Sequence, residues 1–326
     1  MIQAIRKLYS RMPVFFLLAL GLSGFAFAQA PAWQPTKPVA LVVPYPPGGG
    51  SDALARSLSI ALSAQWGGQP VIVENVSGAD GIIGTQKVLR APPDGHTILM
   101  QVNQMLLYKA AGNNMMEQLR LISKIQHSPL SFAVNSNFKG NNFSDFVAYC
   151  KTAKPACSWG SSTKYGTLIG RHLMDVAGLK DLAVHAPYKG TGPMMNDLLG
   201  GHITMGLPAV SSGLPHYRNG RLKYLAVGTT ERFNKLPNVQ TLTEAGYNVI
   251  GDSWFGLMVP KDTPPRIFDG IWEAVKAISK NPALLATIEG GAALPVFSDP
   301  AAFALEVTQE MLVLEPLMAK YPVAVD

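Results

Sequence analysis

The sequence predicts an α/β fold of two lobes joined by two chain crossovers, and three observations carry that expectation. Short β-branched runs alternate with longer segments of helical periodicity, the order that builds parallel strands with crossover helices. Clusters of glycine and proline fall where strand patterns end and helical ones begin. The chain has 326 residues, 48% hydrophobic and 15% charged, enough length and apolar material for a core in each of two domains. Disordered, collagen-like and coiled-coil chains are excluded by that composition.

The first 28 residues read as an export signal. Arg6, Lys7 and Arg11 form a cationic start, residues 14–27 are apolar, and Ala26-Phe27-Ala28 offers a small-x-small cleavage site before Gln29. An apolar stretch of about fifteen residues falls short of the roughly 20 that a membrane-spanning helix needs. No cysteine near the cleavage site offers a lipid anchor, and no later run reaches spanning length. The mature chain is therefore expected to be exported and to begin near Gln29.

After Pro31, Pro35 and Pro38, the run Val39–Val43 is the first strand. Its continuation, Pro44-Tyr45-Pro46-Pro47-Gly48-Gly49-Gly50-Ser51-Asp52, is kept out of helix and sheet interiors by its prolines and glycines. The next helix places Leu54, Leu58 and Leu62 on one face, with Ser51 or Asp52 expected as its N-cap. The same order repeats in a strand over 71–74, a turn over 75–81 containing Gly78 and Gly81, and a helix over 82–89. The Pro92-Pro93-Asp94-Gly95 turn leads to a strand over 97–100. A strand over 131–134 opens a region with units of its own, in which Trp159-Gly160-Ser161-Ser162 and Pro187-Tyr188-Lys189-Gly190 each sit between a strand and a helix. Between later strands over 222–227 and 254–259 the chain is expected to return to the first lobe. Long helices follow over 266–280 and 301–318, the second opened by Asp299 as N-cap and Pro300 at the first helical position. The expected division is a signal over 1–28, a first lobe of 29–127 plus 229–326, and a second lobe of 128–228.

The formal charge is +6, but three of the 27 cationic residues lie in the first eleven positions without an acid, so their removal lowers it to +3. That balance, with no basic cluster interleaved with aromatics, excludes nucleic acid as a partner and is compatible with small anionic ligands. The only cysteines, Cys150 and Cys157, lack the close Cys-x-x-Cys spacing and further partners of a zinc site. In an oxidising compartment a local disulfide stapling a loop is favoured over two free thiols. The six histidines, at 96, 127, 172, 185, 202 and 216, are scattered, so no metal is expected. Met115-Met116 and Met194-Met195 read as packing residues. No Gly-x-Ser-x-Gly elbow, zinc helix, dinucleotide fingerprint or phosphate loop is present, so neither a catalytic residue nor a cofactor is expected.

In open α/β sheets, ligands bind beyond the carboxyl ends of the strands, where helix N-termini offer unpaired N–H groups and the positive end of a dipole. The turns over 48–52 and 77–81 fit that description, and glycine lets a carboxylate approach the backbone unobstructed. Ser161, Ser162 and the Lys189-Gly190-Thr191 turn would face them from the second lobe, giving each end of a small molecule its own donors. Taken singly, each turn is explained by chain geometry alone; the binding reading rests on several of them at strand ends in one exported, two-lobed chain. Asp52 is read as a helix cap rather than a catalytic acid.

These motifs together resemble the Bug-type solute-binding receptors of tripartite tricarboxylate transporters, over about residues 35–319. The resemblance is carried by Val42-Val43 with the following 44–52 turn and Ala55-Arg56, by Gln69-Pro70-Val71-Ile72-Val73-Glu74-Asn75, by Gly78-Ala79 with Gly81 and Ile83-Gly84, and by Ala91-Pro92-Pro93-Asp94-Gly95-His96-Thr97. Tyr188-Lys189-Gly190 with Asp197-Leu198-Leu199-Gly200-Gly201, and Ser253-Trp254-Phe255-Gly256, complete it. The resemblance implies a two-lobed periplasmic binding protein fold, type 2-like, that closes as a Venus flytrap. It implies a monomeric, non-enzymatic receptor that captures a small carboxylate solute and hands it to a membrane permease. Carried over by position, Tyr45, Gly48, Gly49, Ser51 and Asp52 with Gly78 and Ala79 would hold one carboxylate, largely through backbone N–H groups and water. Ser161, Ser162, Thr163, Lys189, Gly190 and Thr191 would serve from the second lobe.

The chain departs from the family pattern in the short 101–122 segment, in Gly206-Leu207-Pro208-Ala209 and in Thr163-Lys164-Tyr165. Lys164 reads as a solvated surface residue, with pairing to a second ligand carboxylate as the other reading. A periplasmic subunit that presents its ligand to a two-component sensor kinase, and an exported enzyme using Asp52, are the rival functions.

Overall fold

The computed structural model describes residues 33–110 and 112–323; the expected export signal over 1–28 lies outside the described residues. The elements run β1 (Val39–Val43), α1 (Gly50–Gln65), β2 (Val71–Asn75), α2 (Ile82–Leu89), β3 (Thr97–Val102), α3 (Leu106–Ala110), β4 (Leu119–Pro129), β5 (Ser131–Asn135), α4 (Phe143–Thr152) and β6 (Cys157–Ser161). They continue α5 (Lys164–Val176), β7 (Ala183–Pro187), α6 (Thr191–Gly200), β8 (Met205–Gly206), α7 (Val210–Arg218), β9 (Leu222–Val227), β10 (Asp252–Pro260), α8 (Pro265–Ile278), α9 (Pro282–Gly290), β11 (Leu294–Pro295) and α10 (Pro300–Lys320).

Two sheets result, one of six strands in the order β11-β4-β10-β3-β1-β2 and one of five in the order β7-β6-β8-β5-β9. Each is the centre of one lobe. The chain passes from the first to the second between β4 and β5 and returns between β9 and β10. At the passage the two crossings are bonded to each other: Leu130 N donates to Gly251 O (2.8 Å), Gly228 N to Leu130 O (2.9 Å) and Gly251 N to Gly228 O (2.8 Å). A side chain at Gly228 would bring its Cβ to 2.6 Å from Gly251 O, so this close approach of backbones requires glycine there.

The strands β1, β2 and β3 are parallel, as expected. The sheets as wholes are mixed, however, because the crossing strands run the other way: β10 is antiparallel to both β3 and β4, and β5 to β8 and β9. A strand that returns from the neighbouring lobe enters the sheet from the opposite end, which fixes its direction.

β1 is buried on both faces, which its unbroken VALVV run requires. α1 lays Leu54, Leu58 and Leu62 into the core of the first sheet together with Ile271 and Val275 of α8. The expected side-chain cap of α1 is corrected: the helix begins at Gly50 with Gly49 as N-cap, in extended conformation and without a side-chain bond. Asp52, in the first turn, accepts instead from Gly48 N (3.1 Å) and from Arg56 Nε (3.0 Å), the arginine four residues on competing for its carboxylate. The Asp299 cap and Pro300 start of α10 are as expected. Trp159, Gly160 and Ser161 belong to β6 rather than to the turn after it, and a two-residue strand occupies Met205–Gly206. Cys150 in α4 and Cys157 at the start of β6 are joined in a disulfide with Cα atoms 5.3 Å apart. No helix among the described residues is long and apolar enough to cross a membrane.

Candidate functional site

Four helices begin on one cavity of about 260 Å³ between the sheets. The first turn of α1 supplies Gly50 and Ser51, the entry to α5 supplies Ser162 and Thr163, α6 supplies Thr191, and α7 supplies Ala209, Ser211 and Ser212. Each follows a strand, so each helix is aimed with its unpaired N–H groups and positive dipole end toward the cavity. No acidic, basic or histidine side chain lines it among the described residues. The site is thus an anion hole built from backbone dipoles and hydroxyls, the donor set that suits a carboxylate.

The remaining wall comes from Tyr45 after β1, from Val102, Asn103 and Gln104 after β3, from Ser128 and Leu130 at the crossover, and from Ser253 and Phe255 of β10. Ser128 is 3% exposed and its Oγ has no hydrogen-bond partner among the described residues. A buried hydroxyl without a partner is uncommon and costly, and a ligand oxygen in the cavity would supply the missing bond. Tyr45 Oη donates to Gln101 Oε1 at 2.8 Å; burial raises its pKa well above the usual phenol value, so it stays a neutral donor.

Of the residues expected from sequence, Tyr45, Ser51, Ser162, Thr163 and Thr191 line the cavity. Ser162 Oγ and Thr191 Oγ1 bond to each other at 3.0 Å, and Thr163 Oγ1 caps α5 by accepting from Gly166 N at 2.9 Å. The other expected residues are not in its wall. Gly48 and Gly49 lead into α1 behind Gly50, and Gly48 N is bonded to Asp52. Asp52 is itself buried, its pKa lowered by the Arg56 hydrogen bond and by Gly48 N–H, which makes it a fixed structural anion. Ser161, 1% exposed, turns its hydroxyl away to Thr167 Oγ1 (2.7 Å) and His185 Nε2 (2.8 Å). Lys189 is exposed, and Gly190, at φ 105°, is the N-cap of α6.

Gly78 (φ 134°) and Ala79 (φ 44°) form a left-handed turn that presents the Asp80 carboxylate to Lys164 Nζ at 3.2 Å. Lys164 is therefore an ion-paired residue, 22% exposed, and the reading of it as a solvated lysine is corrected. A cation at the first turn of a helix opposes the dipole, and Asp80 offsets that. Lys164 N also donates to Gln104 Oε1 at 3.2 Å, so the turn after β2, the end of β3 and the start of α5 are tied together beside the cavity.

Sequence reasoning missed Ser128, Ser211, Ser212, Ser253, Gln104 and Phe255. A signal existed for Ser211 and Ser212, which follow a strand and Pro208 just as Ser51 follows β1 and its prolines. Ser253 and Phe255 were among the motifs of the resemblance but carried no role.

Asn103 of the cavity wall leads to a half-buried acid. Asn103 Nδ2 donates to Glu310 Oε1 (2.9 Å) and to Asp252 O (2.7 Å), and Trp254 Nε1 donates to Glu310 Oε2 (2.7 Å). Burial pushes the Glu310 carboxyl up to about 7 from an ordinary 4.5, against the two hydrogen bonds that favour its charge. Below the unfolded value both states hold the proton; between about 4.5 and 7 only the folded state does, so stability falls as pH rises through that window. The expected loss is on the order of 3 kcal/mol. Glu310→Gln should flatten this decline in urea unfolding across that range, and a decline of unchanged size would assign it to other groups.

The model of the family described as "Tripartite tricarboxylate transporter family receptor" matches residues 54–310 of the chain. Protein BugT of Bordetella pertussis is 30% identical over 293 residues, covering 86% of this chain and 88% of BugT. A UPF0065 protein of Agrobacterium vitis is 32% identical over 281 residues, covering 84% and 80%. Among solved structures, the periplasmic binding protein BugD superposes with a TM-score of 0.75 at 29% identity, covering 89% of this chain and 99% of BugD. An R. palustris protein with adipate superposes with a TM-score of 0.77 at 25% identity, covering 89% and 99%.

Proposed function

Because the chain belongs to the tripartite tricarboxylate transporter receptor family, we propose that it is a periplasmic receptor that captures a small carboxylate between two lobes and delivers it to the permease of such a transporter. The observation that carries the reading is the convergence of four helix N-termini on a cavity without a charged side chain. One carboxylate oxygen is held by the first-turn N–H groups of α1 and the Ser51 hydroxyl, the other by Ser162, Thr163 and Thr191 from across the cleft. Ser128 Oγ completes the shell.

The lobes comprise 29–127 plus 229–326 and 128–228, and they close about the bonded crossings at Leu130, Gly228 and Gly251. Closure follows because the closed form makes contacts to the ligand from both sides that the open form lacks. The receptor acts as a monomer after removal of residues 1–28, without cofactor and without catalysis. Asp52, the acid considered for catalysis, is locked to Arg56 and outside the cavity wall, so it has no substrate proton within reach.

The test is thermal unfolding of the mature protein, stripped of carried-over solute, against mono-, di- and tricarboxylates and amino acids. A ligand at 100 times its dissociation constant adds about 2.7 kcal/mol, which for lobes of this size raises the midpoint by roughly 5 to 10 °C. A shift confined to carboxylates is expected; a shift by neutral or cationic solutes alone would overturn the reading.

A further inference from the structure

The carboxylate cavity is not the end of the cleft. A second cavity of about 250 Å³ shares Gly50, Ser211, Ser212 and Phe255 with the first as a common wall. Its far side is made by Ala53 and Leu54 of α1, by Gln126 of β4, and by Thr287, Ile288 and Gly291 at the end of α9. We propose that this chamber receives the uncharged, hydrogen-bonding end of a carboxylate too long for the first cavity, a carboxamide being the group that fits it. The proposal rests on the receptor reading above and specifies the ligand class.

Gln126 is the first observation. It is 8% exposed, and its side-chain amide makes no hydrogen bond among the described residues, although it borders the chamber. A primary amide both donates and accepts, so one bordering the chamber is matched by a ligand group that does the same. A ligand carboxamide pairs with it through two antiparallel N–H···O bonds; a carboxylate, acceptor only, satisfies its NH₂ and leaves its carbonyl facing like charge.

The second observation is the direction of the dipoles. The first cavity collects the N-terminal ends of α1, α5, α6 and α7, whereas the second keeps only those of α1 and α7 and adds the C-terminal end of α9, where the partial charge is negative. A ligand charged at both ends would therefore place its second carboxylate where the stabilising field is weaker than in the first cavity. Beside the hydroxyl residues Ser211, Ser212 and Thr287, the chamber offers Leu54, Ile288 and Phe255 as apolar surface suited to a methylene chain.

Isothermal titration of the mature protein with succinate, adipate and adipic acid monoamide tests this. The monoamide is expected to bind at least tenfold more tightly than adipate, and Gln126→Leu should abolish that ratio. Ala53→Leu, a change on the exposed side of α1 that fills the chamber without touching the core, should weaken both six-carbon probes relative to succinate, and it decides the matter if the Gln126 variant does not fold. Adipate equal to or tighter than the monoamide, or ratios unmoved by Ala53→Leu, overturns the subsite while leaving succinate binding and the receptor reading intact. Failure of all three probes to bind overturns both.

Discussion

Gly50→Asp is expected to weaken carboxylate binding at least 100-fold while leaving the unfolding midpoint of the empty protein unchanged or slightly raised. Gly50 is the first residue of α1 and lines the anion cavity, whereas its neighbours Gly48 and Gly49 do not. A Cβ at this position meets nothing within 4 Å, and the backbone is not in the left-handed region, so the substitution introduces neither clash nor strain. The new carboxylate sits at a helix start, where it stabilises the fold by about 0.3–1 kcal/mol. It also occupies the N–H groups that the ligand needs. Two like charges about 4 Å apart at an effective dielectric of 20 repel by about 4 kcal/mol, more than the roughly 2.7 kcal/mol that a 100-fold loss requires. Titration and thermal unfolding on the same sample separate the two effects, with Gly50→Ala as the neutral control. Undiminished affinity in the aspartate variant would remove α1 from the anion site.

The largest loss of stability is expected from Trp254→Ala, about 3–5 kcal/mol by urea unfolding. Trp254 is 1% exposed, meets Phe303 of α10 edge-to-face at 5.0 Å, and donates to Glu310 at 2.7 Å. The surroundings have no room to collapse into the space left behind: a Cβ on Gly256, two residues along β10, would already stand 2.4 Å from Phe303 Cζ. Trp254→Phe keeps most of the volume and removes the N–H, and is expected to cost about 1–3 kcal/mol for the weakened shell around Glu310. Equal losses from both variants would place the whole effect in the hydrogen bond rather than in packing.

Much of the fold is legible in the sequence where one physical signal dominates. Val39–Val43, Ile82–Leu89 and Leu222–Val227 are found at the residues their patterns predict, because apolar runs are bounded there by proline or glycine. β4 was not legible, although it is the longest strand. Its sequence LRLISKIQHSP carries polar residues into a buried central position, where Ser123 donates to Ser298 O and Lys124 pairs with Glu306; those partners lie more than 170 residues away and leave no local trace. That the side chains of Gln126 and Ser128 border the cavities was hidden for the same reason. In the site, the glycine turns mark the strand ends correctly, yet which neighbour faces the cavity depends on sub-turn geometry: Ser161 closes a strand and points inward, while Ser162, the next residue, points into the cleft. The loops singled out by the resemblance include Tyr45, Ser51, Ser162, Thr163 and Thr191 of the cavity wall, but also Gly78 and Ala79, whose turn holds Asp80 in place.

The Asp80–Lys164 pair has a consequence for how ligand affinity responds to the medium. An ion pair of this exposure contributes up to about 1 kcal/mol, or roughly a fivefold bias in the ratio of shut to open receptor. Since occupancy draws only on the shut population, the observed dissociation constant scales inversely with that fraction. Added salt screens the pair, so in a receptor of the proposed kind the observed dissociation constant is expected to rise with ionic strength. In the proposed receptor a neutral pair at these positions would remove that dependence, so a bridge between the turn after β2 and the start of α5 is expected to tie affinity to the ionic strength of the medium.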